Sequence, residues 1–173
     1  MKNNKIIILI SLFIVILLLG FVSKSAFNKM NEAGDVKLPV PRFVTLKSDE
    51  VNIRVGPGVR YPIKLVFKKE GLPVEIVKEF DIWRQIRNIE GDEGWVNKGL
   101  LSSRRNVIIK DYMRTVYKKP AMFSKPIVKL KPGVIANLVT CKDNWCNIKV
   151  AGYNGWISQE QIWGVYLNEV FKE

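Results

Sequence analysis

Residues 51–62 read VNIRVGPGVRYP, an alternating, strand-like run that breaks at a Gly-Pro-Gly turn with an arginine on either side. A glycine loop binds phosphate when it leads directly into a helix, whose free N–H groups point at the anion. Here Tyr61 and Pro62 follow, and proline opposes a helix at this place. The stretch therefore predicts a corner of a small β-barrel, in which Gly56 and Gly58 supply backbone torsions that other residues tolerate poorly.

The landmarks around this corner occur twice along the chain, about 62 residues apart. The recurring positions, in order, are Pro57 as Pro120, Gly71 as Gly133, Trp83 as Trp145, and EGW ending at Trp95 as NGW ending at Trp156. In both copies short alternating runs are separated by Gly, Pro, Asn and Asp, without an amphipathic helix of more than ten residues. This pattern predicts an all-β fold made of two small antiparallel barrels.

The first copy resembles the bacterial Src-homology-3-like (SH3b) domains of exported proteins. Such domains carry N-x-R-x-G-P, a glycine that opens a strand, a hairpin tryptophan and a closing G-x-x-G-W-V. This chain has VNIRVGPG, then Gly71, Trp83 and GDEGWVNKGLL. The second copy keeps the later half but has TVYKKP in the first segment, with Tyr117 in place of Arg54. The resemblance implies two tandem SH3-like barrels, of which the second is degenerate.

An apolar run from Ile6 to Val22 follows the basic residues Lys2 and Lys5 at the N-terminus. Seventeen helical residues span about 25 Å, at the short end of what crosses a bilayer. Residues 1–24 are therefore predicted to be a membrane-spanning helix. An uncleaved anchor is favoured over a cleaved signal, because the run exceeds the ~7–15 residues of a usual signal core. The polar, proline-containing residues 25–41 are predicted to be a linker.

The two barrels are predicted at residues 42–106 and 107–171. The positive-inside rule places them outside the cytoplasm, so the expected localisation is an inner-membrane anchor with a periplasmic or extracytoplasmic domain, or secretion if the signal is cleaved. The chain has 28 basic and 16 acidic residues, a net charge of +12. A basic surface of this size attracts polyanions such as acidic wall polymers.

The composition argues against an enzyme. With no histidine in the chain, neither a Ser-His-Asp nor a Cys-His nucleophile nor a His-ligated zinc site is available. Carboxylate neighbours such as Asp92 and Glu93 point to opposite faces of a strand, which does not suit paired acid–base chemistry. We predict no catalytic residue, no cofactor and no metal. The charge is also compatible with nucleic acid, but the predicted export opposes that partner.

Cys141 and Cys146 bracket the sequence KDNW in the second copy. Two cysteines without a further Cys or His do not complete a zinc site, which needs four ligands. The flanking segments VTC and WCNIKV have the pattern of two hairpin strands, which would bring the thiols together. In an oxidising compartment this arrangement predicts a structural disulfide.

Three residues of the first copy are candidates for ligand binding. Arg54 has two roles open to it, either bonding loop carbonyls or contacting a ligand carboxylate. Tyr61 and Trp83 are predicted to be the two walls of a groove, since rigid aromatics recognise extended peptide or sugar-peptide chains. Trp95 and Trp156 each follow a glycine at a tight turn and are expected to be half-buried, either as core residues or as residues that close the barrels.

These observations predict a membrane-tethered binding module that recognises cell-wall peptide or glycan, or an envelope protein. Its expected partners are peptidoglycan or an envelope protein or peptide, together with the inner membrane that holds the N-terminal helix. The alternative is a structural spacer or scaffold that acts through barrel–barrel packing without a ligand groove. A stable homo-oligomer would favour that alternative.

Overall fold

The computed structural model describes residues 38–172, and the regular structure of this range is β-strand apart from two 3-10 turns, Lys98–Leu100 and Gln159–Gln161. The predicted all-β fold class is thereby confirmed. No helix within the described range has the length and hydropathy that crossing a bilayer requires. The membrane-spanning helix predicted for residues 1–24, and most of the linker predicted for 25–41, lie outside the described residues.

The strands form two curled antiparallel sheets, which we name the first and second barrels. The first barrel contains β1 (Arg42–Leu46), β2 (Val51–Arg54), β3 (Ile63–Phe67), β4 (Pro73–Phe80), β5 (Trp83–Arg87), β6 (Glu93–Asn97) and β7 (Leu101–Ser102). The second contains β8 (Asn106–Ile109), β9 (Arg114–Tyr117), β10 (Pro126–Leu130), β11 (Ile135–Lys142), β12 (Trp145–Val150), β13 (Tyr153–Ser158), β14 (Ile162–Trp163) and β15 (Phe171–Lys172).

The strand orders of the two barrels are equivalent. The first follows β3-β2-β6-β5-β4-β1-β7 and the second β10-β9-β13-β12-β11-β8-β14, with β15 added beside β11. Every strand from β8 to β14 therefore takes the place of the strand seven positions earlier. This correspondence confirms the predicted internal repeat.

Each barrel has its own hydrophobic core, built by the alternation of side chains along the strands. In β2, for example, Val51 and Ile53 are buried while Asn52 between them is exposed. The first core consists of Val44, Leu46, Val51, Ile53, Val74, Ile76, Ile86 and Val96. The second consists of Val107, Ile109, Val116, Leu130, Ala136, Leu138, Cys141, Cys146, Ile148, Ile157, Ile162 and Val165.

A glycine in β6 and another in β13 allow the barrels to close. A Cβ atom on Gly94 would lie 2.9 Å from the carbonyl oxygen of Arg54 and 2.4 Å from Cγ2 of Ile53. A Cβ atom on Gly155 would lie 2.7 Å from the carbonyl oxygen of Tyr117. Real Cβ atoms do not approach backbone this closely. The glycine of each EGW or NGW triplet is therefore required where β2 meets β6 and β9 meets β13.

The Gly-Pro-Gly corner leads into β3 and not into a helix, as predicted. Neither Gly56 nor Gly58 has a positive φ angle, so the torsional role expected for them is wrong. Gly56 is needed for space: a Cβ atom there would lie 2.5 Å from Cδ1 of Tyr61. The tyrosine ring folds back onto the loop and occupies the room that a side chain at position 56 would take.

The predicted disulfide joins Cys141 in β11 to Cys146 in β12. The two residues are Cα partners across the hairpin, and both are fully buried in the second core. Asp143 and Asn144 form the connecting turn with φ angles of 50° and 63°. Asp and Asn tolerate this left-handed conformation better than other residues with side chains, which suits them to a tight hairpin turn.

The first barrel packs against the C-terminal part of the second through aromatic side chains. The ring centroid of Phe43 lies 4.9 Å from that of Trp163 and 4.7 Å from that of Tyr166. The guanidinium of Arg105 lies 5.7 Å from the Phe43 ring centroid and pairs with Glu169 at 2.9 Å. Contacts of this geometry stabilise aromatic clusters beyond the area that they bury.

Hydrogen bonds of side chains also cross the interface between the barrels. The Tyr166 hydroxyl donates to the Glu75 carboxylate over 2.9 Å, and the Asn106 amide donates to the Gly71 carbonyl over 2.8 Å. Burial raises the pKa of Tyr166 well above its ordinary value, and the bond to Glu75 raises it further. The interface is therefore closed by both apolar and polar contacts.

The glycine requirement gives a first prediction. Gly94→Ala is expected to lower the free energy of unfolding by about 1–3 kcal/mol, because the new Cβ must displace β2. Gly58→Ala is the matched control: its Cβ lies 3.3 Å from a ring carbon of Tyr61, a contact that a small shift relieves. Urea unfolding followed by tryptophan fluorescence measures both losses. Equal losses in the two variants would contradict the role of Gly94.

The interface gives a second prediction. Tyr166→Phe removes the donor to Glu75 and is expected to cost about 1 kcal/mol of unfolding free energy at pH 7. The pKa of Tyr166 in the folded protein is raised above its unfolded value near 10. Its contribution to stability is therefore complete below about pH 10 and is lost as the pH rises toward the folded-state pKa.

The measurement is urea unfolding of the wild type and of Tyr166→Phe between neutral and alkaline pH. The difference in unfolding free energy should be constant in the neutral range and shrink in the alkaline range. Tyr112→Phe, at an exposed side chain, controls for the loss of a phenol at neutral pH. If the difference in unfolding free energy stays constant up to the alkaline range, the Tyr166 hydroxyl does not make the proposed buried hydrogen bond.

Candidate functional site

Four side chains share the outer surface of the first barrel, Arg54, Trp83, Gln85 and Trp95, and we name this surface the first-barrel face. Cα partners in an antiparallel sheet point to the same side. Trp95 is the partner of both Arg54 and Gln85, and Trp83 lies two residues before Gln85 on β5. Since Val96 points into the core, Trp95 points outward. Trp95 is half-buried, as expected, and lies beside the contact of β2 with β6 that closes the barrel rather than in the core.

The loop after β2 brings the candidates Arg54 and Tyr61 together. Nη1 of Arg54 donates to the carbonyl oxygen of Tyr61 over 2.7 Å. The Tyr61 ring covers Gly56, and the guanidinium of Arg60 lies 5.6 Å from its centroid. Of the two roles left open for Arg54, the structure contains the bond to a loop carbonyl. Ligand contact by Arg54, Tyr61 and Trp83 stays a prediction.

A row of charged groups borders the first-barrel face. The Gln85 amide donates to Oε2 of Glu93 over 2.9 Å, and Nε of Arg87 donates to Oε1 of the same carboxylate over 2.7 Å. The hydrogen bond with Glu93 raises the pKa of Arg87 above its ordinary value. Arg87 also pairs with Glu75 at 3.2 Å, and Glu75 accepts the Tyr166 hydroxyl. The row thus extends from the face to the interface between the barrels.

The corresponding surface of the second barrel is aromatic. We name it the second-barrel face; it carries Tyr117, Trp145, Asn147 and Trp156. Trp156 is the Cα partner of Tyr117 and of Asn147. The rings of Tyr117 and Trp145 meet edge to face, with centroids 6.1 Å apart. Trp156 is half-buried, as expected, and points away from the buried Ile157, beside the contact of β9 with β13.

Sequence reasoning did not identify Tyr117 as a candidate. Tyr117 takes the position of Arg54, since each is the partner of the outward tryptophan, Trp156 or Trp95. The Arg-to-Tyr exchange is visible when the two copies are aligned. When the exchange is interpreted as degeneration, the aromatic cluster that Tyr117 forms with Trp145 and Trp156 is not predicted.

A third feature, a cleft in the first barrel beside the start of β8, fits a ligand less well. Its volume of about 190 Å³ is below the roughly 300–1,000 Å³ of usual ligand pockets, and Lys47, Glu70 and Arg104 give its lining mixed charge. For a metal, the described residues offer no group of three or more Asp, Glu, Cys or His side chains close enough together. The two outer faces are therefore the better candidates.

Part of the chain is similar to a curated bacterial protein. It is 29% identical over 128 residues to YrvJ of Bacillus subtilis (strain 168), named as a candidate N-acetylmuramoyl-L-alanine amidase. The aligned region is 68% of this chain and 24% of YrvJ, so the chain spans about a quarter of that relative.

Two solved structures from Trichomonas vaginalis are also similar. NlpC2 matches with a TM-score of 0.34 and 14% identity, over 73% of this chain and 49% of that one. NlpC1 matches with a TM-score of 0.32 and 13% identity, over 74% of this chain and 47% of that one.

The family model of the bacterial SH3 domain matches this chain twice, at residues 47–103 and 110–164. The first match contains β2 to β7 and the second contains β9 to β14. Together they cover more than half of the chain and include both strands that hold the closing glycines, Gly94 and Gly155. The chain therefore belongs to the bacterial SH3 domain family.

Proposed function

We propose that this protein is an extracytoplasmic, membrane-tethered binding module for cell-wall peptide or glycan, and that it has no catalytic activity of its own. The observation that carries the proposal is the pair of bacterial SH3 copies, each with aromatic side chains on its outer face. The name of the relative YrvJ describes an enzyme that acts on the N-acetylmuramoyl-L-alanine linkage. Because this chain matches about a quarter of YrvJ, binding rather than cleavage is the property that we carry over.

The chemistry of the first-barrel face suits a sugar-peptide chain. Trp83 and Trp95 lie diagonally across β5 and β6, where large rings are within reach of the same ligand. The flat faces of tryptophans stack on sugar rings, and the neighbouring Arg54 and Gln85 carry donors for carboxylates and amides of a peptide. The net charge of +12 adds attraction toward anionic wall polymers.

Within this face we propose Arg54, Tyr61 and Trp83 as ligand contacts. The bond from Arg54 to the Tyr61 carbonyl fixes the guanidinium and the loop with respect to each other. A fixed donor binds a carboxylate without the entropy loss of ordering a free side chain. Tyr61 is held in turn by its packing on Gly56, so the loop and the Trp83 hairpin form two rigid sides of the proposed groove.

The alternative function is a spacer that acts through barrel–barrel packing. The aromatic cluster of Phe43, Trp163 and Tyr166 supports it, because the two copies already pack against each other through such contacts. A spacer needs no ligand on either outer face. It is expected to form a stable homo-oligomer and to bind neither wall fragments nor soluble stem peptides.

The function is tested by sedimenting purified full-length chain with purified cell wall and, in parallel, by capture from envelope extract. The chain is expected to sediment with the wall at low salt. It should be progressively released toward about 0.5 M salt, where the Debye length falls below roughly 5 Å. Retention that salt does not change would contradict the electrostatic part. Absence of sedimentation together with capture of an envelope protein would assign the module to a protein partner.

The location of the site is tested by Trp83→Ala and Trp145→Ala, which truncate equivalent positions in the two barrels. Trp83→Ala is expected to weaken binding roughly thirtyfold, about 2 kcal/mol, since stacking aromatics dominate such sites. Thermal melts establish first that each variant folds. If Trp145→Ala loses binding and Trp83→Ala retains it, the ligand occupies the second-barrel face instead. If Trp83→Ala fails to fold, the groove assignment has no support.

A further inference from the structure

The loop between β9 and β10, residues 118–125, exposes two large apolar side chains at its tip. Met122 is 69% exposed and Phe123 is 104% exposed, as open to solvent as in an extended chain. An exposed aromatic ring beside an exposed methionine is costly to hydrate. Where such side chains are neighbours, they commonly mark a site of interaction.

The loop holds this tip in a defined conformation. The Lys118 N–H donates to the Lys125 carbonyl over 2.9 Å, and the Ser124 N–H donates to the Ala121 carbonyl over 3.0 Å. The Lys119 N–H also donates to Oγ of Ser124 over 2.9 Å. Because these hydrogen bonds fix the backbone, the two exposed apolar side chains need no further ordering of the loop.

The surroundings of the tip are basic. From residue 112 to residue 142 the chain contains no acidic residue. The seven basic residues in that stretch are Arg114, Lys118, Lys119, Lys125, Lys129, Lys131 and Lys142. The three lysines of the loop itself, at positions 118, 119 and 125, directly flank the apolar tip.

The equivalent loop of the first barrel lacks this combination. It has the same backbone bonds, with Val55 donating to Pro62 and Tyr61 to Gly58, each 63 residues before its counterpart. At its tip Val59 takes the place of Met122, and the next residue is basic rather than aromatic. The apolar tip flanked by lysines is therefore a property of the second barrel and not of the shared backbone.

We propose that the 118–125 loop inserts Met122 and Phe123 into the interfacial region of an anionic lipid bilayer, while its lysines contact the lipid phosphates. Apolar side chains that enter the boundary of the acyl region, combined with basic groups at headgroup level, are the chemistry of interfacial membrane binding. An anionic wall polymer would satisfy the lysines but has no apolar phase for Phe123. This proposal does not depend on the wall-binding function.

The experiment uses full-length chain reconstituted in vesicles of phosphatidylcholine alone or of phosphatidylcholine and phosphatidylglycerol in equal parts. Both native cysteines form the disulfide, so Met122→Cys adds a single free thiol that accepts an environment-sensitive fluorophore. In anionic vesicles the label is expected to shift to the blue and to be quenched by lipid-attached quenchers. The same label introduced by Val59→Cys, at the equivalent loop position, should show neither effect.

Two further variants in the labelled background separate the apolar and the electrostatic contributions. Phe123→Ser should abolish the blue shift. Lys118→Gln, Lys119→Gln and Lys125→Gln combined should weaken the response by about fivefold per lysine, because each charge near an anionic surface contributes about that factor. Thermal melts show whether each variant is folded, and all four substituted side chains are exposed.

Four outcomes would overturn the proposal. The first is an equal response in neutral and anionic vesicles, and the second is a full response from the Phe123→Ser variant. The third is an equal response to soluble polyphosphate in the presence of neutral vesicles, which would assign the loop to anionic polymers. Equal quenching of the labels at positions 122 and 59 would count in the same way, because the membrane would then lie near both barrels.

Discussion

A close approach of two strands in each barrel is the constraint on which the rest of the structure depends. At Gly94 and at Gly155 an added Cβ would meet a backbone carbonyl oxygen at less than 3.0 Å. Glycine at this register lets the first half of each copy pair with the second half, so the sheet closes over its core. The same register turns the next residue, Trp95 or Trp156, outward. Closure of the barrel and its aromatic outer face therefore arise from one triplet.

The buried carboxylate of Glu75 connects the two barrels to the first-barrel face. Its residue is 9% exposed, and it accepts from Tyr166 on one side and pairs with Arg87 on the other. A buried carboxylate without partners would cost several kcal/mol, so both contacts are needed for this packing. Arg87 also donates to Glu93, and Glu93 accepts a hydrogen bond from the Gln85 amide. A chain of contacts therefore links the second barrel to the side chains beside the proposed groove.

Much of the fold was predictable because the landmarks of the repeat are backbone requirements. Glycines and turn residues at fixed spacing determine where strands end, and period-two alternation determines which residues are buried. The outward orientation of Trp95 was not predicted, because a single tryptophan beside a turn does not indicate which face of the sheet its side chain occupies. The need for space at Gly56 was also missed, because it depends on Tyr61 folding back, a tertiary contact that local sequence does not encode.

The loop after β2 and the loop after β9 share one backbone conformation but are stabilised by different contacts. In the first barrel the ring of Tyr61 fills the space above Gly56, so the loop is held by packing and requires glycine. In the second, Ser124 stands at the position of Tyr61 and accepts the N–H of Lys119, so the loop is held by a hydrogen bond that tolerates a side chain. Because the second loop does not need glycine at the position of Gly56, Lys119 can occupy it. The second loop can therefore carry a lysine where the first requires glycine, although the two barrels have the same strand order.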